Sequence, residues 1–274
     1  MRIVSALHRA IFARPSFQKL NSRLFYLALH GLGVLNYQNA SISGERYLLS
    51  KWLPRAISGP NPVFFDVGAN DGQYCEMLLE HFPTAFVHAF EPHPKSYSTL
   101  VGKAFPANRA KCHNIAIGAS KGFLPLYDHA DNVGSSHASL YEATITEFHE
   151  HSAVATTVPV ETLDELAMRE GVTYINFLKI DTEGHELAVL SGASRLLREN
   201  RIGYIQFEFN ALHVFSRVFF RDFRNILSNY DLYRLLPKGL LTLDANITMT
   251  EIFAFQNILA VSKVLAAQPA AGPR

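Results

Sequence analysis

From residue 63 onward the chain alternates short apolar runs with amphipathic stretches of helical length. The apolar runs lie at 63–67, 85–90 and 110–117, and the stretches between them at 73–82 and 94–105. Continuous apolar runs of five or six residues read as strands buried on both faces, and apolar residues recurring every three or four positions read as helices packed on them. Strands separated by helices pair in parallel through right-handed crossovers. The rhythm resumes with a helix at 161–169, a strand at 175–180, a helix at 187–200, a strand at 202–207 and a long helix at 213–230. In that last helix Phe215, Phe219, Phe223 and Leu227 recur every four residues and are expected to face the core. Runs at 232–236 and 253–261 are the last two strands, expected to form a hairpin. The predicted class is α/β.

Two regions depart from this rhythm. Residues 122–160 predict short antiparallel strands and a polar loop centred on Gly134-Ser135-Ser136-His137, an insertion suited to carrying substrate contacts. At the other end, Ser43 is expected to cap a helix over 44–53 that stops before Pro54, with Leu48, Leu49, Trp52 and Leu53 as its apolar face. The loop Ser58-Gly59-Pro60-Asn61-Pro62 then divides a helical extension, 1–54, from a main domain, 55–264. The small-residue tail 265–274 is expected to be disordered. Residues 1–36 are basic and contain no Asp or Glu. Two readings stay open for them: helices packed on the domain as a lid, or a basic amphipathic helix resting on an anionic membrane surface.

Composition narrows the function. A net charge of +1 over 274 residues gives no footing for phosphate neutralisation, so no nucleic-acid partner is expected. Cys75 and Cys112 have no metal-ligand spacing and read as buried thiols in a reducing compartment, which predicts a cytoplasmic protein, with the inner membrane face as the site of any peripheral contact. No apolar run reaches the roughly 18 residues of a membrane span, and the N-terminus lacks the long apolar core of a secretory signal. Oligomeric state leaves no mark in the sequence.

The densest chemistry sits where the runs end. FFDVGANDGQY, residues 64–74, is a strand running into a turn and a helix, with Gly68 and Gly72 bracketing a turn that a ligand could approach. Glu91 ends the second strand, where Rossmann-type folds hold a ribose diol. Asn70 stands where a dinucleotide site would carry its second glycine, and Asp66 would repel a pyrophosphate but suits an ammonium group. The reading is therefore S-adenosylmethionine (SAM) rather than NAD. Asp66 would face the methionine ammonium, Glu91 the ribose, and Asn114 or a nearby backbone amide at Ile115 the adenine edge. Asp66, Gly68, Asn70, Gly72, Tyr74, Glu91, Asn114, Ile115 and Asp181 form the expected cofactor set.

The stretch KIDTEGHE, 179–186, crowds Asp181, Glu183, His185 and Glu186 around Gly184. Acids at a helix start are favoured by the dipole, so helix capping competes with catalysis there. Asp181, then Glu183 and Glu208, are the expected catalytic groups, accepting or orienting an acceptor hydroxyl. Asp181, Glu183, His185 and Glu208 have the donor types for a divalent ion, but their spacing is not diagnostic and no metal is expected.

FDVGANDGQY, FEPHP, HNIAIG, VPVETLDEL, FLKIDTEGHELAVLSGA and FEFN, in this order, resemble the FkbM-type SAM-dependent methyltransferases from about Ser43 to Ser262. The resemblance implies a class I Rossmann-like fold with a mostly parallel seven-stranded sheet whose last strand is antiparallel. It also implies O-methylation of a hydroxyl on a sugar, a glycan or glycolipid precursor, or a natural product, with SAM held by Asp66, Gly68, Asn70, Gly72 and Glu91. An NAD-dependent oxidoreductase and a non-catalytic SAM-binding module are the alternatives.

Overall fold

The computed structural model describes residues 2–131 and 138–266, so the polar loop expected at 134–137 and the tail from 267 lie outside the described residues. Eleven strands are present among them: β1 (Val63–Val67), β2 (Phe86–Phe90), β3 (Ala110–His113), β4 (Ala116–Ile117), β5 (Gly122–His129), β6 (Ala153–Glu161), β7 (Ile175–Ile180), β8 (Ile202–Phe209), β9 (Tyr230–Leu236), β10 (Gly239–Thr242) and β11 (Gln256–Ser262). Eight of them form one sheet in the order β10-β9-β11-β8-β7-β1-β2-β3. The block from β8 to β3 is parallel, as the strand–helix rhythm predicts, and β11 runs antiparallel between β8 and β9. The class and the antiparallel last strand stand. The count is eight rather than seven because β9 turns straight into β10, whose four residues are too short for a pattern to show. The hairpin is therefore β9–β10, while β9 and β11 are antiparallel neighbours joined through a longer connection.

Other departures have local causes. The third expected strand splits at Asn114, whose side-chain amide donates to the carbonyls of Glu91 and Pro92 at 2.8 and 3.0 Å. Beyond it β4 joins a small sheet, β4-β6-β5. The helix expected at 187–200 is two helices, Glu186–Ser191 and Ser194–Arg198, broken at Gly192. A Cβ there would lie 2.1 Å from the Gly118 carbonyl oxygen, and Asp164 accepts the first amides of the second helix from Arg195 and Leu196. The helix expected at 213–230 is also two pieces, His213–Ser216 and Phe220–Ile226, separated by left-handed Arg217. Its stripe shifts: Phe223 and Leu227 are buried, Phe219 is exposed and Phe220 takes the core position. Pro54 lies inside a short helix, Leu53–Ala56, at its first turn, where a missing N–H costs nothing. Ser43 does not cap the helix expected over 44–53, whose first segment begins at Glu45 after left-handed Gly44; its hydroxyl donates to Glu45. At the far end Lys263–Ala266 is a helical turn, which includes the first two residues of the expected tail.

The sheet is covered on both faces. Phe65, Leu178, Ile205 and Phe207 pack under the helices at 163–198 and 220–226. Phe64, Val87, Phe177 and Leu259 pack under the helix Gln73–His81 and under Leu48, Leu49 and Leu53, so the segment before β1 is part of the core. Among the described residues no helix is long and apolar enough to cross a membrane.

Candidate active site

The carboxyl ends of β1, β2, β7 and β8 open into a cavity of about 690 Å³. After β1 the backbone turns through three left-handed residues, Gly68 (φ 80°), Asn70 (φ 47°) and Gly72 (φ 86°). Asparagine is among the few side chains that visit this region readily. A Cβ on Gly68 would lie 1.7 Å from the Asp181 carbonyl oxygen, and the Asp181 amide donates to Val67. The missing side chain thus admits the backbone leaving β7 and locks the two strand ends together.

Glu91 is held by the same turn. Its Oε2 accepts from the Asn70 amide at 2.8 Å and its Oε1 from the His93 amide at 2.7 Å. Burial nevertheless dominates and pushes its carboxyl up to about 7, against those two bonds.

Of the residues singled out in the sequence, Gly68, Asn70, Glu91, Ile115, Asp181, Glu183 and Glu208 line the cavity. Asp66, Gly72, Tyr74 and Asn114 lie outside its wall. Asp66 is fully buried on the β1 face shared with Phe64, and its register partner on β7 is Lys179. The Lys179 ammonium lies 3.6 Å from Asp66 and 3.2 Å from Asp181, and sits 5.0 Å from the centre of the Tyr74 ring. Burial pulls this ammonium down, but Asp181, Asp66 and Glu45 outweigh it and hold it charged. Asp66 therefore faces a protein cation. Tyr74 donates to Gln206 at 2.5 Å, and Gln206 donates to Glu45 at 3.0 Å and to Asn257 at 3.2 Å. This polar row across β1, β7, β8 and β11 fixes the floor of the site. Lys179 is the functional residue missed in the sequence, and its signal was a lysine inside an otherwise apolar parallel strand.

The turn after β7 separates its acids by role. Oε1 of Glu186 accepts from the amides of Thr182 and Gly184 and from the Thr182 hydroxyl, and its other oxygen lies 3.0 Å from His213 Nε2. Glu186 is the capping residue of this cluster. Glu183 adopts φ 53° and Gly184 φ 101°, which turns the segment over the cavity. His185 lines the cavity with its Nδ1 3.3 Å from the Tyr141 hydroxyl, and burial lowers its pKa. Glu208 is next to last in β8, beside Asp181. Burial first, then the charges of Asp181 and Glu183, push its carboxyl well above the usual range, and the side-chain amide of Asn210 donates to it at 3.4 Å. The cavity thus presents a half-buried carboxyl with a raised pKa and an apolar wall of Leu35, Leu126, Leu140, Phe148, Phe253 and Phe255.

Among the described residues, the group with metal-ligand spacing is His88, His113 and Glu170, not the acids of the cavity. None of the three lines the cavity, and Glu170 is paired with Lys111 at 2.6 Å.

A family model described as the methyltransferase FkbM domain matches residues 66–234. A 2-O-methyltransferase, NoeI, of Sinorhizobium fredii (strain NBRC 101917 / NGR234) is 25% identical over 190 residues, which cover 67% of this chain and 78% of that protein. The methyltransferase sdnD of Sordaria araneosa is 29% identical over 157 residues, 48% of this chain and 60% of that one. Among solved structures, the methyltransferase FkbM from Methylobacillus flagellatus KT aligns with a TM-score of 0.46 at 17% identity, over 74% of this chain and 44% of its own.

Proposed function

The chain belongs to the FkbM methyltransferase family and uses SAM, and we propose that it methylates a hydroxyl of a sugar, a glycan or glycolipid precursor, or a natural product. The observation that carries this reading is the Glu208 carboxyl, half-buried in the cavity wall beside Asp181 and Glu183 with its pKa raised. A hydroxyl must lose its proton as its oxygen takes up a methyl group, and a carboxylate whose pKa is raised is the better acceptor of that proton. SAM supplies a methyl group on a positively charged sulfur. The chain supplies position and proton transfer. Glu208 takes the hydroxyl proton on its carboxylate, and Asp181 and Glu183 orient the hydroxyl.

The donor set fits the adenosyl group. Glu91 has lone pairs left for a ribose diol after accepting two backbone amides, and Asn70 and Ile115 stand in the wall beside it. Asp66 acts through Lys179 and Asp181 rather than by touching the ligand, and Gly72, Tyr74 and Asn114 shape the turn and the floor. The relative named a 2-O-methyltransferase supports oxygen as the acceptor atom.

Two measurements test this. Calorimetric titration with S-adenosylhomocysteine and with NAD is expected to show binding of the first alone. Radiolabelled methyl transfer from SAM into sugar and lipid extracts is expected to give label that survives mild alkali, as an ether does and a carboxyl ester does not. Glu208→Gln is expected to keep S-adenosylhomocysteine binding within about threefold and to lower transfer by at least about 100-fold, the range of a general base. Alkali-labile label, or full activity in Glu208→Gln, refutes the assignment. Binding of the adenosyl ligand with no transfer at all points to a binding module.

A further inference from the structure

The helix Gln18–Gly31 presents its apolar side to solvent. Leu20, Leu24 and Leu27 are 43, 51 and 67% exposed, and Phe25 and Tyr26 are exposed beside them. At 3.6 residues per turn the three leucines share one stripe, while Leu29, the buried apolar residue of this helix, lies on the opposite side and faces the body. Lys19 and Arg23 flank the stripe along one edge, and with Arg9 and Arg14 they are all exposed. Residues 1–44 hold five Lys and Arg and no Asp or Glu, whereas residues 45–274 hold 20 against 24. The charge of this chain is thus segregated, with its basic part around an exposed apolar stripe.

We propose that this helix docks on an anionic membrane surface, with Leu20, Leu24 and Leu27 entering the acyl boundary and Lys19 and Arg23 at the headgroups. Lysine and arginine reach outward from such a stripe while keeping their charge in water, and anionic lipids add attraction for each basic residue. A second copy of the chain fits the surface worse: an antiparallel two-fold contact sets one Lys19–Arg23 edge against another, a parallel one sets the two basic helices side by side, and no acid in the first 44 residues offsets either.

The connection to the cavity gives the docking a purpose. The helix ends at Gly31, the Arg234 guanidinium donates to the Leu32 carbonyl at 3.1 Å, and the Leu35 amide donates to Phe255 at 2.7 Å. Leu35 and Tyr37 then form part of the cavity wall together with Phe253 and Phe255. Three residues, 32–34, therefore separate the end of the docking helix from the wall of the site, which sets the cavity rim near the membrane. Resting on the proposed hydroxyl methylation, the acceptor class is an amphiphile: a lipid-linked sugar whose hydroxyl-bearing head enters from the surface.

The test is sedimentation of the full chain with vesicles of phosphatidylcholine alone and with about one-third phosphatidylserine. The wild type is expected to sediment with the anionic vesicles at least tenfold more strongly than with the neutral ones. Leu24→Glu/Leu27→Glu is expected to lose that binding, as is Lys19→Glu/Arg23→Glu, with both variants retaining S-adenosylhomocysteine binding and the wild-type circular dichroism spectrum. In a Tyr37→Trp variant, lipids brominated on their chains are expected to quench the added fluorescence above the Trp52 background, and absence of quenching removes the rim from the membrane. Equal sedimentation of the wild type and the Leu24→Glu/Leu27→Glu variant overturns the docking. So does a dimer in size exclusion that this variant abolishes while no vesicles are bound. Vesicle binding needs no methyl transfer, so its failure leaves the proposed activity standing, and absence of transfer leaves the vesicle result standing.

Discussion

Replacing Lys179 with methionine removes the cation from the floor of the site while keeping most of its volume. In the wild type its ammonium serves two carboxylates, at 3.6 Å for Asp66 and 3.2 Å for Asp181. Among the described residues neither Asp66 oxygen has a hydrogen-bond donor, and the residue is fully buried. Breaking a buried ion pair by removing one partner costs about 3–5 kcal/mol, because a charge is left uncompensated away from water. Against a total stability of about 5–15 kcal/mol, the variant is expected to fold with a clearly lower urea midpoint. The deficit has a predictable pH dependence. Burial already raises the Asp66 pKa, and loss of Lys179 raises it further. The native variant then holds a proton that the unfolded chain, with a normal aspartate, has released, so its stability falls as pH rises above about 4. Urea unfolding followed by circular dichroism at pH 5 and pH 8 is therefore expected to show the larger loss at pH 8. Adding Asp66→Asn removes the stranded charge, so the double variant is expected to be more stable at pH 8 than Lys179→Met alone. A Lys179→Met protein within about 1 kcal/mol of wild type, or single and double variants that add without coupling, refutes the pairing.

Gly68→Ala is expected to cost about 1–2 kcal/mol from its left-handed backbone alone and more from the 1.7 Å approach of the Asp181 carbonyl, with S-adenosylhomocysteine affinity at least tenfold weaker by calorimetry; wild-type affinity refutes the locking of the two strand ends. Glu91 titrates at about 7, and the ribose reading needs its carboxylate, so S-adenosylhomocysteine affinity is expected to weaken about tenfold for each pH unit below 7 and to level off above it. The sign for stability is opposite: the folded pKa lies above the unfolded one, so ionising Glu91 costs stability as pH rises from about 4.5 to 7. Glu91→Gln is expected to flatten the affinity profile, and a profile of unchanged slope in that variant refutes the assignment.

The sequence was most legible where one physical demand acted alone. The strands at 63–67 and 175–180 have the bounds their apolar runs predict, because a central parallel strand is covered on both faces and admits only apolar residues along most of its length. The helices at 187–200 and 213–230 are each broken by a local event that their apolar spacing does not carry. Gly192 is needed because Gly118 packs against it, and Arg217 takes a left-handed conformation that no propensity signals. Strand β10 was hidden because four residues after a turn make no period.

The candidate site divides along the same line. Glu91 and Asp181, just past the ends of β2 and β7, and Glu208, next to last in β8, are in the cavity wall as expected, because the carboxyl edge of a parallel sheet is where strand-end side chains gather. Asp66 shares a sheet face with Asp181 and Glu208 but lies two residues earlier in register, below the rim of the cavity. It turns toward Phe64 and the N-terminal segment, where the register sets it opposite Lys179. Its position inside the apolar run was readable in the sequence; the partner, 113 residues away, was not, because it depends on β1 choosing β7 as its neighbour. Once that pairing is made, Asp66, Lys179 and Gln206 follow one another across three strands, and Asp181 and Glu208 follow two residues further along the same face. The acids proposed to handle the hydroxyl are thus carried on the row that Lys179 neutralises. The lysine that keeps Asp66 tolerable in the core also sets the charge beside the proposed base, because its ammonium opposes the forces that raise Glu208. Removing it should therefore push the Glu208 carboxyl further up, and the pH optimum of methyl transfer should rise with it.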